Sequence, residues 1–206
     1  LLETTEMSHE QAEYTALATE STEHLLKVIN DILDFSRIER DALELECIPF
    51  NLLELLQSSA QVFQHSAQQR GLQLQLETQP GLEQIEVQGD PTRIRQILVN
   101  LIGNALDAMQ AQPAPELWLE GELGDGKYRL RVRDNGHGID LEARKHLFEP
   151  FLTTKPGEQG LGLGLTLSAS LAAATGGSLG VEHPASGGTA FVLSLPLASP
   201  NQAEPI

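Results

Sequence analysis

The stretch RQILVNLIGNALDAM, Arg95 to Met109, sets two asparagines into an otherwise apolar helical period. Its helix opens at GDPTRI, with Asp90 at an N-cap position and Pro91 at the first helical position, where the missing N–H costs nothing. Asn100 and Asn104 are four residues apart and project from one face, and the next turn of that face offers an acid, Asp107. Asparagine is a poor helix former, so a pair on an apolar helix needs a reason. The pair either caps or faces solvent, or its neutral amide oxygens complete the oxygen shell of a magnesium ion whose other ligands are water and phosphate oxygens.

Three further clusters follow in order. DNGHGI, Asp134 to Ile139, comes at the end of a strand pattern and supplies a carboxylate followed by Gly136 and Gly138. A lone Asp-Asn-Gly marks a turn. At a strand end the carboxylate is also placed to accept a hydrogen bond from an exocyclic amine such as that of adenine, while the glycines let a flat ring approach the backbone. His137, inside the loop, reads as solvated. GLGLGL, Gly160 to Leu165, leads into a helix and offers exposed amides suited to phosphates, although glycine alternation also marks hinges. GGTAF, Gly187 to Phe191, opens the last strand and is the weakest of the four.

The rest of the chain alternates helix and strand signals from Phe50 onward. NLLELLQSSAQVFQHSAQQRG is an amphipathic helix closed by Gly71, and LQLQLE alternates as a half-buried strand. ELWLEGEL and KYRLRVRDNG read as strands paired through Gly124-Asp125-Gly126. A helix from about Leu165 to Ala174 and a strand pair, SLGVEH with TAFVLSLPL, complete an α+β sandwich. Upstream, Gln11 to about Leu43 reads as one helix of about 30 residues, ~45 Å long. Leu25, Val28, Ile29, Ile32, Leu33, Phe35 and Ile38 recur on it at helical spacing. It either folds back on its own domain or needs a partner helix from another segment or chain. These patterns divide the chain into residues 1–47, 48–198 and a polar tail or linker, 199–206.

Bulk properties exclude some classes. A net charge of −16 over 206 residues argues against nucleic acid backbones and anionic membrane surfaces as partners. No apolar run is long enough to span a bilayer, and no signal peptide pattern is present. The single cysteine, Cys47, excludes an internal disulfide, fits a reducing compartment and reads as a packing residue.

Taken together, the ordered clusters closely resemble the nucleotide-binding domain of sensor histidine kinases, a branch of the ATPase superfamily that includes gyrase, the ninety-kilodalton heat-shock chaperones and the mismatch-repair ATPases. RQILVNLIGNALDAM resembles the N box, DNGHGI the first glycine box, FEPFLTTK the F box, GLGLGL the second glycine box and GGTAF the last glycine motif. The resemblance spans roughly Phe50 to Leu197. It implies a two-layer α/β sandwich that binds Mg-ATP under a mobile lid and is preceded by a long helix of a dimerisation bundle. It further implies that Asn104 ligates magnesium, Asn100 supports the metal or phosphates, and Asp134 reads adenine with Thr189 in its network. Gly136, Gly138 and Ile139 belong to the nucleotide loop, and Gly160, Leu161, Gly162, Leu163 and Gly164 to the phosphate cradle. The lid would run from His137 to Leu161, anchored by Phe148 and Phe151, with Lys155 either a solvated lysine or a cation near the terminal phosphate. NALDAM and PFLTTK are similar to the nitrogen-regulation and dicarboxylate-sensor branch, and Asp107 stands where other kinases carry a lysine. A gyrase or chaperone type of ATPase is disfavoured because Asn100 occupies the place of the glutamate that activates water there.

HLLKVINDILDFSRIERDALELE, His24 to Glu46, resembles the second hairpin helix of hybrid-type kinases. Partners implied are a second copy of the chain and a response regulator or receiver domain. The setting implied is cytoplasmic, as a free chain or as part of a membrane-bound sensor. Ser8-His9-Glu10 suggests the phosphoacceptor motif but lacks the arginine, threonine and proline that follow it in the family. His9 also lies only 21 residues before Asn30, so it is expected in the turn between the hairpin helices, with the acceptor further upstream. The competing reading is an acceptor-less, kinase-like regulatory module that binds ATP.

Overall fold

The computed structural model describes residues 7–40, 42–69, 71–78, 85–124, 126–152 and 161–197. In chain order these form α1 (His9–Glu39), β1 (Ile48–Asn51), α2 (Leu52–Gln69), β2 (Gln73–Thr78), β3 (Glu86–Gly89), α3 (Pro91–Ala108), β4 (Glu116–Gly124), β5 (Lys127–Asp134), α4 (Leu141–Lys145), α5 (Gly164–Ala174), β6 (Ser178–Glu182) and β7 (Thr189–Pro196). Lys155, Gly160, Asp125 and the tail 199–206, all singled out above, lie outside the described residues.

One sheet has the order β2-β4-β5-β7-β6, with β2 parallel to β4 and the other neighbours antiparallel. The strict alternation in KYRLRVRD decides its two faces. Tyr128, Leu130 and Val132 point into a core shared with Leu117 and Leu119 of β4, Leu193 of β7 and Ile97, Leu98, Leu101 and Ile102 of α3. Arg129, Arg131 and Arg133 point the other way. There Arg131 pairs with Glu120 at 3.2 Å and Glu182 at 3.0 Å, and Arg133 pairs with Glu120 while its guanidinium lies 3.8 Å from the Trp118 ring centroid. Helices cover one face and a charged ladder meets water on the other, which makes the domain a two-layer α+β sandwich.

Asp90 accepts hydrogen bonds from Thr92 N and Arg93 N with Pro91 following it, as expected, and Gly71 takes φ +64° after α2. Several expectations need correction. β1 and β3 form a second, two-stranded antiparallel sheet that short, unpatterned stretches concealed. α4 lies within the stretch from His137 to Leu161 expected to form the lid, and is capped by Asp140, whose side chain accepts from Glu142 N. α1 ends at Glu39, short of Leu43, and begins earlier than Gln11. His9 is therefore the first helical residue and not a turn residue. Ser8 is the N-cap: its side chain accepts from Gln11 N, and the Gln11 side chain accepts from Ser8 N at 2.9 Å, a reciprocal capping box. Cys47 is exposed rather than packed.

Candidate functional site

The asparagine pair gains its setting from α3. Its buried residues, Ile94 to Leu106, face the sheet, which turns Asn100, Asn104 and Ala108 onto a neighbouring stripe, each one turn after the last. The two ends of that stripe meet the two glycine clusters. Asn100 Nδ2 donates to Ser168 Oγ of α5 at 2.9 Å, and a Cβ on Gly164 would stand 2.5 Å from Asn100 Oδ1. At the other end a Cβ on Gly136 would stand 2.6 Å from Ala108 O, and His137 N donates to that carbonyl at 3.3 Å. Half-buried Asn104 lies between these contacts.

Asp134 closes the site from the sheet. It is the next inward position of β5 after Val132, so the register that buries the core also buries a carboxylate, which is 2% exposed. Gly136 N donates to its Oδ1 at 2.8 Å and Thr189 N, paired with Asp134 in the β5–β7 ladder, donates to the same oxygen at 3.3 Å. Oδ2 takes neither of these bonds. Burial pushes the Asp134 carboxyl above its usual range, opposed by those two amides and by His137. Gly188 packs so closely on the Asp134 backbone that a Cβ would overlap the Asp134 carbonyl, and its φ of +79° suits glycine alone. The last glycine motif, read as the weakest signal, thus shapes the same loop as DNG.

Gly162, Leu163 and Gly164 enter α5 beside Asn100, and the position of a Gly162 Cβ is taken by Leu152 backbone. Leu163 is buried, Leu161 is exposed and Ile139 packs against the core. His137 is exposed, as expected. Phe151 is not a core anchor: it is 66% exposed and its ring meets Phe35 of α1 edge-on, whereas Leu147 packs against the core and Phe148 is half-buried. Two positioning residues were missed. Ser168 holds Asn100, and Asn135 ties the loop to the start of β4, accepting from Glu116 N at 3.0 Å and donating to Ala114 O at 2.8 Å. The Asn135 signal was available as the middle residue of DNG; Ser168 had none, because its partner is 68 residues away.

A buried carboxylate with one oxygen pre-bonded, neutral amide oxygens on a half-buried helical stripe, and glycines that keep backbone bare fit an adenine nucleotide with a hard cation on its phosphates. A helix-covered sheet with this site defines a nucleotide-binding ATPase fold. The Histidine kinase-, DNA gyrase B-, and HSP90-like ATPase family matches residues 89–199, and the chain belongs to that family. The sensor protein GacS of Pseudomonas syringae pv. syringae is 35% identical over 205 residues, 96% of this chain and 22% of its own length. The circadian input-output histidine kinase CikA of Synechococcus elongatus is 35% identical over 92% of this chain and 26% of its own length. Full-length ShkA, crystallised in complex with AMPPNP, superimposes with a TM-score of 0.79 at 34% identity, over 96% of this chain and 41% of its own. The chain therefore spans about a quarter or less of these curated relatives, and within it lies a catalytic, ATP-binding domain of the sensor histidine kinase type. No helix among the described residues is long and apolar enough to cross a membrane.

Proposed function

We propose that this chain is the catalytic region of a two-component signalling protein, an ATP-dependent protein-histidine kinase, with residues 1–47 belonging to a dimerisation hairpin, 48–198 to the catalytic domain and 199–206 to a tail. The observation that carries the reading is that the stripe of Asn100, Asn104 and Ala108 meets the Gly164 turn at one end and, at the other, the Gly136 turn that also bonds Asp134. Asp134 Oδ2 would accept the exocyclic amine of adenine, with Thr189 in the same network and Gly136, Gly138 and Ile139 beside the ring. Gly160 to Gly164, with Leu161 and Leu163 between the glycines, would cradle the phosphates, with Lys155 reaching the last of them. Asn104 would ligate Mg2+ and Asn100 would steady it from its bond to Ser168. The cation supplies neutralisation of phosphate charge as it redistributes during transfer.

In this reading an imidazole nitrogen on a helix upstream of α1 attacks the γ-phosphorus. The new P–N bond forms as the bond to the bridging oxygen breaks, ADP leaves, and the phosphoryl group passes next to a response-regulator aspartate. A solved relative, ThkA, 25% identical with a TM-score of 0.72, was crystallised in complex with the response regulator protein TrrA, which supports such a partner. The exposed apolar residues of α1 would pair within a homodimeric bundle in the cytoplasm. His9 is not the acceptor here, because its Ser-His-Glu setting starts a helix and lacks the Arg-Thr-Pro sequel.

Labelled ATP tests this directly. The chain alone is expected to gain little acid-labile, alkali-stable phosphate, and a version extended by its upstream coding sequence to label at a histidine in the added segment, unaffected by His9→Gln. Strong labelling of the chain alone, erased by His9→Gln, would make His9 the acceptor.

A further inference from the structure

Only one described residue of α1 is buried, and it is a carboxylate. Asp34 is 8% exposed on a helix whose other described side chains are exposed or half-exposed. Its Oδ2 accepts from Arg93 Nη1 at 2.9 Å and from Gln96 Nε2 at 2.9 Å, and Arg93 Nη1 is also 3.0 Å from Gln96 Oε1. Both partners stand in the first two turns of α3, ahead of Asn100 on the same helix. Asp90 adds a tie from the connecting segment: while Oδ1 caps α3, Oδ2 accepts from Glu46 N at 3.2 Å. The next residue of α1, Phe35, meets Phe151 with ring centroids 6.4 Å apart and planes at 67°. Phe151 holds a left-handed φ of 65°, and its neighbour Leu152 packs against Gly162. One turn of α1 thus grips both the root of the asparagine helix and the backbone beside the second glycine turn.

The chemistry of the grip is informative. A carboxylate–guanidinium pair dried by docking returns to water on separation at little net cost, whereas an apolar contact of that size would resist separation and tolerate many geometries. Meanwhile Leu25, Leu26, Ile29, Ile32 and Leu33 of the same helix stay 44–59% exposed, so among the described residues the apolar contacts that join α1 to the domain are confined to Phe35 and Ile38, beside the polar grip. We propose that Asp34, Arg93 and Gln96 form a reversible latch that holds α1 and the ATP-binding-type domain in one docked arrangement, and that opening it frees the domain to move about the segment between α1 and β1. The latch is a property of the two surfaces and stands whether or not nucleotide binds.

The test uses the full 206-residue chain with the charge reversals Asp34→Arg and Arg93→Glu and their combination. Each single reversal is expected to speed hydrogen exchange of the amides of residues 34–40 by about tenfold, the scale of charge-assisted hydrogen bonds lost at a partly dried site. The double reversal, which restores opposite charges, is expected to return exchange towards the wild-type rate. Exchange in β5 checks that the sheet remains folded, and Asp34→Asn replaces any reversal that disturbs it, with the same acceleration expected. Unchanged exchange in the single variants would overturn the latch. So would acceleration that the double reversal fails to correct, since that would mark Asp34 as a local support of α1 and not as the partner of Arg93.

Discussion

α3 and α1 divide their side chains in opposite ways. α3 puts Ile94, Ile97, Leu98, Leu101, Ile102, Ala105 and Leu106 against the sheet and leaves asparagines on its flank. α1, at 31 residues nearly twice as long, buries one aspartate among its described side chains and, Ile38 apart, leaves its leucines and isoleucines in the open. The contrast separates two uses of one element. In α3 the apolar face supplies rigidity, so the polar flank can hold a site to within a fraction of an ångström. In α1 most of the apolar face is uncovered, and the turn at Asp34, with Phe35 and Ile38 beside it, makes the attachment.

Removing the flank of α3 is expected to have the largest effect. With an acceptor helix supplied, Asn104→Ala is expected to lower phosphoryl transfer by about a thousandfold or more, with a much smaller loss of nucleoside binding, because the metal serves the phosphates. Transfer at the wild-type rate would remove Asn104 from the catalytic role. The second test compares the two apolar faces by denaturant unfolding. Leu101→Ala, at a fully buried site, is expected to cost about 2–5 kcal/mol, and Leu25→Ala, exposed within one chain, less than about 0.5 kcal/mol at concentrations where the chain is monomeric and more as copies pair. An equal cost at Leu25 in the monomer would show its face covered within one chain.

Asp134→Asn probes the carboxylate at the end of β5. Nucleotide affinity should fall by roughly 1–3 kcal/mol, the scale of a hydrogen bond to a charged group. Without nucleotide the direction reverses. Burial raises the Asp134 carboxyl above its ordinary 3.8, so its contribution to stability is present below that value and is lost as pH rises through the folded-state value. Asp134→Asn should therefore melt above wild type at neutral pH, with the gap closing below about pH 4. A lower melting temperature at pH 7 would contradict the burden assigned to the charge. The smallest effect is expected at His9→Gln, within about 0.5 kcal/mol by thermal unfolding, since His9 is exposed at the first turn.

How far each region was legible follows from the range of the interactions that define it. KYRLRVRD carries its own period, so β5, its two faces and the buried carboxylate at its end could all be read locally. The caps at Asp90 and Gly71 are likewise local chemistry. The capping box at Ser8 was equally local but was obscured by the histidine beside it, which drew a catalytic question onto a structural motif. β1 and β3 have four residues each and exist through one another, so no pattern announces either. Phe151 reads as a core residue by type, and only the packing of α1 shows that its ring meets Phe35. Ser168 and Arg93 likewise acquire their roles from partners 68 and 59 positions away.

In the proposed function the stripe on α3 and the carboxylate of β5 form one nucleotide site. Titrating the isotopically labelled chain with a non-hydrolysable ATP analogue and Mg2+, while following backbone amides by NMR, tests it most directly. Saturable shifts are expected at Asn104, Gly136, Gly164 and Thr189 together, with Asp134→Asn raising the saturating concentration. Absence of binding at millimolar nucleotide, or shifts confined to the Arg129–Arg133 face of the sheet, would contradict it.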